Sequence, residues 1–191
     1  DFLAKRWNWE MPIPMTAPDV DNKDVALFPK KIRGMYAVLH RQHNKDIWID
    51  FVTDLKFGEG KWLDGDILFS TRDASWDSAR IGVSSPPHET KDGWVLLYHG
   101  VSRESTKYRI GAALLDLKNP EQVLARTHDP ILEPRLPYEK EGQVKNVVFP
   151  CGSVVIKDTL YVYYGAADTV VGVATVKFDD VLAKLKASPV T

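Results

Sequence analysis

The feature of this sequence that most constrains its fold is a unit of about 60 residues that occurs three times. Each copy contains an apolar run rich in aromatic residues, at positions 35–40, 94–99 and 160–165. A second apolar run follows in each copy, at positions 47–55, 108–117 and 169–178. The two runs stay in step through all three copies, and repeated strand modules of this length are typical of radial β architectures. The sequence therefore predicts an all-β fold of the propeller type.

Within each copy, turn signals separate two strands and predict a hairpin. The turns fall at residues 33–34, 91–93 and 157–158. Continuous apolar residues at 94–98 and 160–164 predict strands that are covered on both faces. Three units carry about twelve strands, whereas a propeller normally needs at least four blades to close. The chain is therefore expected to supply about three blades of a larger ring.

The flanking segments differ from the repeats. Residues 1–20 are rich in proline and tryptophan and predict an extended connector from a region upstream, which leaves residues 21–191 as the partial propeller domain. Loops are predicted at residues 56–66 and 118–126. Residues 179–185 begin with two aspartates and continue as a helical apolar stripe, so they predict a short C-terminal helix. The first residue is Asp1 rather than methionine, and we expect the sequence to be cut from a longer protein.

Composition narrows the classes of partner. The net charge is −1 with acidic and basic residues interleaved, which gives no electrostatic footprint for nucleic acid or for an anionic membrane. No apolar run approaches the roughly 18 residues of a membrane span, and no signal sequence is visible, so a cytoplasmic location is predicted. Cys151 is the single cysteine. Neither zinc-ligand spacing, a glycine-rich phosphate loop nor a nucleophile elbow occurs, and no metal or cofactor is expected.

Polar residues follow the apolar strands at equivalent places in the three copies. They are His40 with Arg41, then His99, then Asp168. In a propeller such strand ends converge on one face, where a cluster of arginine, histidine and lysine would bind an anion. Each residue also has a structural interpretation: an arginine that caps a strand, a histidine bonded to a core carbonyl, or an aspartate that forms a turn.

Other candidates lie near these strand ends. Lys23 precedes Arg41 in the same hairpin, although it could simply pair with Asp24 on the surface. Tyr108 begins the second strand of its copy, where most aromatic residues pack against a neighbouring element. Glu139 and Glu141 could accept hydrogen bonds from sugar hydroxyls, although charged pairs in loops usually only face solvent.

Five segments together carry a specific resemblance. They lie at residues 22–29, 36–41, 93–101, 146–152 and 163–168. In this order they resemble glycoside hydrolase family 130, the β-mannoside phosphorylases and related mannosidases, and the resemblance runs from about residue 21 to residue 185. It implies a five-bladed β-propeller.

The same resemblance implies inverting phosphorolysis, in which inorganic phosphate attacks the anomeric carbon of a terminal β-mannosyl unit and releases α-mannose 1-phosphate. It places Lys23, Arg41, His99 and Tyr108 around the phosphate and Asp168 on the mannose. His40 and Glu141 are further candidates for binding the sugar. The general acid of the family belongs to a Glu-Asp-Pro-Arg type of motif, which does not occur here, so the acid is expected upstream of residue 1.

Two other functions stay open at this point. A mannosidase of the same fold would use water, although the basic cluster favours phosphate. A non-catalytic carbohydrate-binding propeller would need no acid. We expect the isolated chain to be essentially inactive and prone to association, because cutting a propeller exposes blade faces that are normally buried. A homo-oligomer is also left open.

Overall fold

The structure is a computed structural model that describes residues 3–7 and 11–190. These residues form an all-β fold with three antiparallel sheets and two short helices. The predicted connector at residues 1–20 lies partly outside the described residues, and its described part contains neither strand nor helix. Among the described residues, no helix is long and apolar enough to cross a membrane.

The first sheet contains four strands in sequence order. They are β1 (Asn22–Leu27), β2 (Tyr36–Gln42), β3 (Ile47–Val52) and β4 (Asp66–Phe69). The pairing of β1 with β2 shifts between Lys23 and Ala26, where Asp24 adopts a positive φ of 56°. Such a bulge bends the strand and redirects a side chain, and positive φ is uncommon for residues other than glycine. The bulge therefore gives Asp24 an orientation that a regular strand would not.

The second sheet lies at the centre of the chain. Its strands are β5 (Arg80–Val83), β6 (His88–Thr90), β7 (Gly93–Val101), β8 (Tyr108–Leu115) and β9 (Val123–Arg126). Both β5 and β6 pair with β7, and Pro86 and Pro87 lie between them. Proline has no amide proton for a sheet, which explains why this edge is split. All of β7 is buried, as the sequence predicts for a strand covered on both faces.

The third sheet contains three strands and is flanked by helices. The elements are α1 (Pro137–Lys140), β10 (Val148–Ile156), β11 (Thr159–Ala166), β12 (Val170–Lys177) and α2 (Phe178–Lys186). The predicted C-terminal helix is confirmed by α2. The prediction that residues 160–164 are covered on both faces is wrong, because Tyr163 is 45% exposed and Val173, opposite it on β12, is 53% exposed. This sheet packs against its neighbour through one face only.

The three predicted turns are confirmed. Residues 33–34 lie between β1 and β2, residues 91–92 separate β6 from β7, and residues 157–158 separate β10 from β11. The predicted loop at 118–126 is wrong in its last part, because β9 occupies it. That strand has only four residues, and so short an apolar run gives little periodic signal in the sequence. Its strand conformation depends on its pairing with β8.

Apolar side chains bury the faces between neighbouring sheets. One core joins the first two sheets and includes Leu39, Ile47 and Trp94. Another joins the second and third sheets to α2 and includes Leu97 and Leu160. Each such large side chain contributes roughly 1.5–3 kcal/mol on burial. The two cores fix the sheets in sequence order and so determine which strand ends lie together.

Candidate functional site

Three of the predicted phosphate-binding residues meet where strands from different sheets come together. Nη1 of Arg41, on β2, lies 3.2 Å from Nε2 of His99, on β7. The His99 ring centroid is 5.9 Å from that of Tyr108, on β8, and 4.6 Å from that of Phe149, on β10. All three sheets therefore contribute to one cluster.

The contact between the first two sheets depends on the missing side chain of Gly82. Gly82 lies on β5 opposite His99. A Cβ atom at this glycine would lie 2.2 Å from Oδ2 of Asp24 and 2.5 Å from Cε1 of His99. Real Cβ atoms do not approach other atoms so closely, so the backbone of β5 leaves an opening that any larger residue would fill. Through it, Asp24 and Arg41 of the first sheet reach His99.

His99 is a neutral imidazole in this environment. Burial, followed by the positive charges of Arg41 and Arg80, lowers its pKa to about 3. A guanidinium offers only donors, so we assign Nε2 of His99 as the acceptor from Arg41 and Nδ1 as the protonated nitrogen. The ring has no exposed surface. In this arrangement His99 holds the Arg41 guanidinium in place and does not itself face an open space.

Asp24 completes the buried part of the cluster, and the sequence analysis did not include it as a site residue. Its Oδ2 lies 3.2 Å from Nη1 of Arg41 and 3.8 Å from Nε2 of His99. Burial raises the pKa of Asp24, and this effect outweighs the attraction of Arg41 and Lys23. Its Oδ2, Nε of Arg41 and Nδ1 of His99 are buried atoms without a hydrogen-bond partner among the described residues.

Arg80 was also missed. It begins β5, and its Nη2 donates a hydrogen bond to the Tyr108 hydroxyl. Its guanidinium carbon lies 5.2 Å from the centroid of the Tyr108 ring, within the range of a cation–π contact. Both side chains are partly buried. The position of Arg80 at the start of a short strand gave no signal in the sequence.

Lys23 lies beside the cluster but forms a different ion pair from the expected one. Its backbone is in register with Arg41. Its Nζ lies 3.1 Å from Asp21, and the side chain is 55% exposed. The sequence analysis gave a surface pair with Asp24 as the alternative role of Lys23, but the Asp24 carboxylate faces Arg41 instead. Lys23 is therefore at the rim of the cluster, with its ammonium group in solvent.

His40 does not lie in the cluster. Successive residues of a strand point to opposite faces, so His40 and Arg41 are on opposite sides of β2. The imidazole is fully buried, and its Nδ1 lies 3.1 Å from Oδ1 of Asn22. Burial lowers the pKa of His40. A direct contact between this side chain and a sugar bound beside Arg41 does not fit the structure.

The acidic candidates have different surroundings. Asp168 is exposed in the turn between β11 and β12, with a φ of 53°. The preceding amide, of Ala167, donates to the carbonyl of Val147, which in turn forms a bridge with Tyr108. The turn that carries Asp168 therefore borders the cluster. Glu141 is exposed and lies 3.4 Å from Lys145, in a surface ion pair.

Glu139 is a structural residue, and its predicted contact with sugar hydroxyls is wrong. The side chain is buried. Its carboxylate accepts hydrogen bonds from the backbone amides of Arg135 and Leu136 and from the hydroxyl of Tyr164. These donors occupy both oxygens. Among the described residues, no group of three or more His, Cys, Asp or Glu side chains is placed to hold a metal ion.

A cluster of guanidinium, imidazole and phenol groups on an all-β scaffold defines a candidate anion-binding site. The family model for glycoside hydrolase family 130, described as β-1,4-mannooligosaccharide phosphorylase, matches residues 5–187. The chain therefore belongs to this family.

The proteins to which this chain is similar are named as phosphorylases of mannosides. The 1,2-β-oligomannan phosphorylase of Thermoanaerobacter sp. (strain X514) is 51% identical over 85% of this chain and 53% of its own length. The β-1,2-mannobiose phosphorylase of the same organism is 48% identical over 85% and 52%. The solved structure of β-1,2-mannobiose phosphorylase from Listeria innocua with β-1,2-mannobiose has a TM-score of 0.83 at 43% identity, covering 91% of this chain and 49% of that one. The chain thus spans about half the length of these relatives.

Proposed function

We propose that this chain is part of a phosphorylase that cleaves terminal β-mannosides with inorganic phosphate. The observation that carries the proposal is the meeting of Arg41, His99 and Tyr108 at one point, where donors outnumber acceptors. Most oxygens of a phosphate dianion carry no proton at neutral pH and only accept hydrogen bonds, so a site rich in donors suits it. Membership of a family whose named relatives are mannoside phosphorylases supports the same assignment.

The four predicted phosphate-binding residues each have a role in the proposed reaction. Arg41, Tyr108 and Lys23 bind the phosphate oxygens, and His99 fixes Arg41 from behind. Phosphate held in this way attacks the anomeric carbon on the face opposite the leaving group and gives α-mannose 1-phosphate with inversion. Donors fixed in advance lower the barrier because they need no reorganisation as charge moves.

The sugar would lie beside the turn that carries Asp168. Its carboxylate is exposed on a turn that borders the cluster, and it can accept hydrogen bonds from mannose hydroxyls. Glu141 is a second exposed carboxylate in the preceding connection and could contact a more distant sugar unit. We do not retain His40 for this role, because it is buried on the opposite face of β2.

We place the general acid outside these 191 residues. Protonation of the glycosidic oxygen needs a carboxylic acid on the side of the leaving group. The motif that carries this acid in the family does not occur in the sequence. By the same proposal, each of the three sheets forms one blade of a five-bladed propeller, and the isolated chain lacks turnover.

The linkage that we propose is β-1,2. Both Thermoanaerobacter relatives and the Listeria structure are named for β-1,2-linked mannosides, whereas the family model is described by β-1,4-linked ones. Identity of 43–51% to the former group supports this choice.

The test uses the natural full-length protein with β-1,2-mannobiose and β-1,4-mannobiose, each with and without inorganic phosphate. We expect mannose 1-phosphate from the β-1,2 disaccharide only when phosphate is present. Free mannose formed without phosphate would show a hydrolase instead. Binding of either disaccharide without any product would favour a non-catalytic propeller.

A further inference from the structure

The turn that carries Asp168 has a strained backbone. It consists of residues 167–169, between β11 and β12. Ala167 has a φ of 46° and Asp168 has a φ of 53°, so two consecutive residues other than glycine lie in the left-handed region. That region is unfavourable for residues with a Cβ atom, and such a backbone persists only where the surrounding structure holds it. The direction of the Asp168 side chain therefore depends on what holds this turn.

The hydroxyl of Thr169 holds the turn from within. Its Oγ1 donates a hydrogen bond to the carbonyl oxygen of Ala167 at 3.0 Å and accepts one from the amide of Gln143 at 3.1 Å. One hydroxyl thus closes the turn and joins it to the connection between α1 and β10. The Asp168 carboxylate itself makes no hydrogen bond or ion pair with the part of the chain that the structure describes. Its position is consequently set by the backbone of the turn and not by its own side chain.

The connection at residues 142–147 supports the turn from outside. The amide of Val144 donates to the carbonyl of Ala167 at 3.1 Å, and the amide of Ala167 donates to the carbonyl of Val147 at 3.1 Å. A Cβ atom at Gly142 would lie 2.5 Å from both the Ala167 carbonyl oxygen and Oγ1 of Thr169. The absence of a side chain at Gly142 therefore permits this close approach of the two segments.

The same connection also reaches the phosphate side of the site. The amide of Tyr108 donates to the carbonyl of Asn146 at 3.1 Å, one residue before Val147. A short path of backbone hydrogen bonds thus joins Tyr108 to the turn that carries Asp168. A reaction between phosphate and sugar requires the two reactants to be held in a precise relative geometry. The conformation of the turn should therefore affect how the sugar is presented to the phosphate.

We propose that Thr169 is a positioning residue, whose hydroxyl holds the turn in the conformation that directs the Asp168 carboxylate toward the bound mannose. The proposal rests on the proposed function and on the sugar-binding role of Asp168. Thr169 acts through Asp168 and does not itself contact the sugar.

The first experiment measures phosphorolysis of β-1,2-mannobiose by the natural full-length protein and by Thr169→Val and Thr169→Ser. Valine keeps the branched shape of threonine but removes the hydroxyl. Loss of the two hydrogen bonds should raise the KM for the disaccharide by about twofold to tenfold in Thr169→Val, while the KM for phosphate stays the same. Thr169→Ser keeps the hydroxyl and should restore most of the affinity for the disaccharide. An equal rise in both KM values would overturn the proposal, because it would indicate a general disturbance of the site.

The matched control is Thr53→Val. Thr53 is an exposed threonine directly after β3, and β3 runs away from the end of the sheet where Arg41 lies. This variant should leave both KM values unchanged. Thr169 is also exposed, so neither substitution should change urea unfolding by much. A disaccharide KM in Thr169→Val equal to that of the control would contradict the role of Thr169.

The second experiment tests whether Thr169 acts through Asp168. Asp168→Ala removes the carboxylate, and combining it with Thr169→Val forms a double-mutant cycle. If Thr169 only positions that carboxylate, the double variant should have the same disaccharide KM as Asp168→Ala alone. A KM raised by the product of the two single effects would show that Thr169 acts independently of Asp168, and the proposal would be wrong.

A binding measurement keeps the test independent of turnover. Isothermal titration of β-1,2-mannobiose without phosphate into the wild type and Thr169→Val should show weaker binding by the variant. If the wild type binds the disaccharide more tightly than the variant but releases no mannose 1-phosphate with phosphate present, the proposed phosphorylase function is wrong and the positioning role of Thr169 stands. If both proteins bind the disaccharide equally, the role of Thr169 is wrong whatever the activity.

Discussion

Asp77 is fully buried, whereas the side chain of Asp24 is 14% exposed. Each contacts an arginine, and the surroundings of the two carboxylates are opposite in character. Asp77 lies just before β5 of the second sheet. Its Oδ2 accepts hydrogen bonds from Arg72 at 2.9 Å, Arg126 at 2.8 Å and the Tyr98 hydroxyl at 2.9 Å. Asp24 faces a single arginine, and its Oδ2 has no partner with hydrogen-bond geometry among the described residues.

The pKa directions follow from these partners. Burial alone would raise the pKa of Asp77, but the hydrogen bonds and charges of Arg72 and Arg126 hold it below its usual value. At Asp24 burial is the larger effect, and the pKa is raised. A network in which every donor has an acceptor stabilises the fold, whereas a cluster with unused donors is prepared for a ligand. We therefore assign Asp77 to the scaffold and Asp24 to the site.

The largest expected effect is on the scaffold network. Asp77→Asn keeps the shape of the side chain but leaves Arg72 and Arg126 without their counter-charge, so it should lower the free energy of unfolding by about 3–5 kcal/mol. Asp24→Asn is the matched variant and should change it by about 1 kcal/mol or less, because a carboxyl with a raised pKa gains little from its charge. Urea unfolding followed by tryptophan fluorescence measures both. Equal losses in the two variants would contradict the distinction.

A pH titration of stability tests the site cluster. The folded pKa of His99 is about 3, below its ordinary value of 6.5. Below pH 6.5 the unfolded chain therefore binds a proton that the folded chain does not, and stability is lost as the pH falls toward about 3. The loss from His99 should reach about 2–3 kcal/mol between pH 6.5 and 4.5. His99→Gln, which keeps an acceptor for Arg41, should lose less over that interval. An identical pH dependence in the two proteins would show that His99 is not buried as a neutral group.

The opening at Gly82 can be tested by filling it. Gly82→Ala places a methyl group 2.2 Å from Asp24 and 2.5 Å from His99, so it should cost about 1–3 kcal/mol of stability and weaken phosphate use in the full-length protein. Gly152→Ala is the control, because a Cβ there meets no atom within 4 Å. A Gly82→Ala protein with normal phosphate affinity would show that the contact between the first two sheets is not needed for the site.

The sequence predicted those parts of the fold that depend on long periodic runs. The strands at 94–98 and 108–115, their turns and α2 were found because each has a continuous local signal. The short strands β4 and β9 and the split of β5 from β6 were missed, since four residues carry almost no pattern and their pairing is set by neighbouring strands.

The residues of the candidate site, like the strands, were predicted only in part. Arg41 and His99 were identified because they follow strong strands at matching places in the repeats, whereas Tyr108 was placed at the phosphate by the family resemblance. Asp24 and Arg80 were missed because their importance comes from a bulge and from a register across three strands, neither of which is visible along the chain. His40 could have been separated from Arg41 from the alternation of strand residues alone.

The smallest expected effect concerns the rim of the cluster and tests where the site ends. Lys23 is 55% exposed and pairs with Asp21, and surface ion pairs of this kind contribute roughly 0–1 kcal/mol to stability. Lys23→Gln should therefore leave urea unfolding nearly unchanged. If Lys23 reaches a bound phosphate, the variant should raise the KM for phosphate by a few-fold, and added salt should reduce that difference because the charge is screened. Lys30→Gln offers a comparable exposed lysine, paired with Glu89. A phosphate KM that is the same in both variants would place Lys23 outside the site and leave binding to Arg41 and Tyr108.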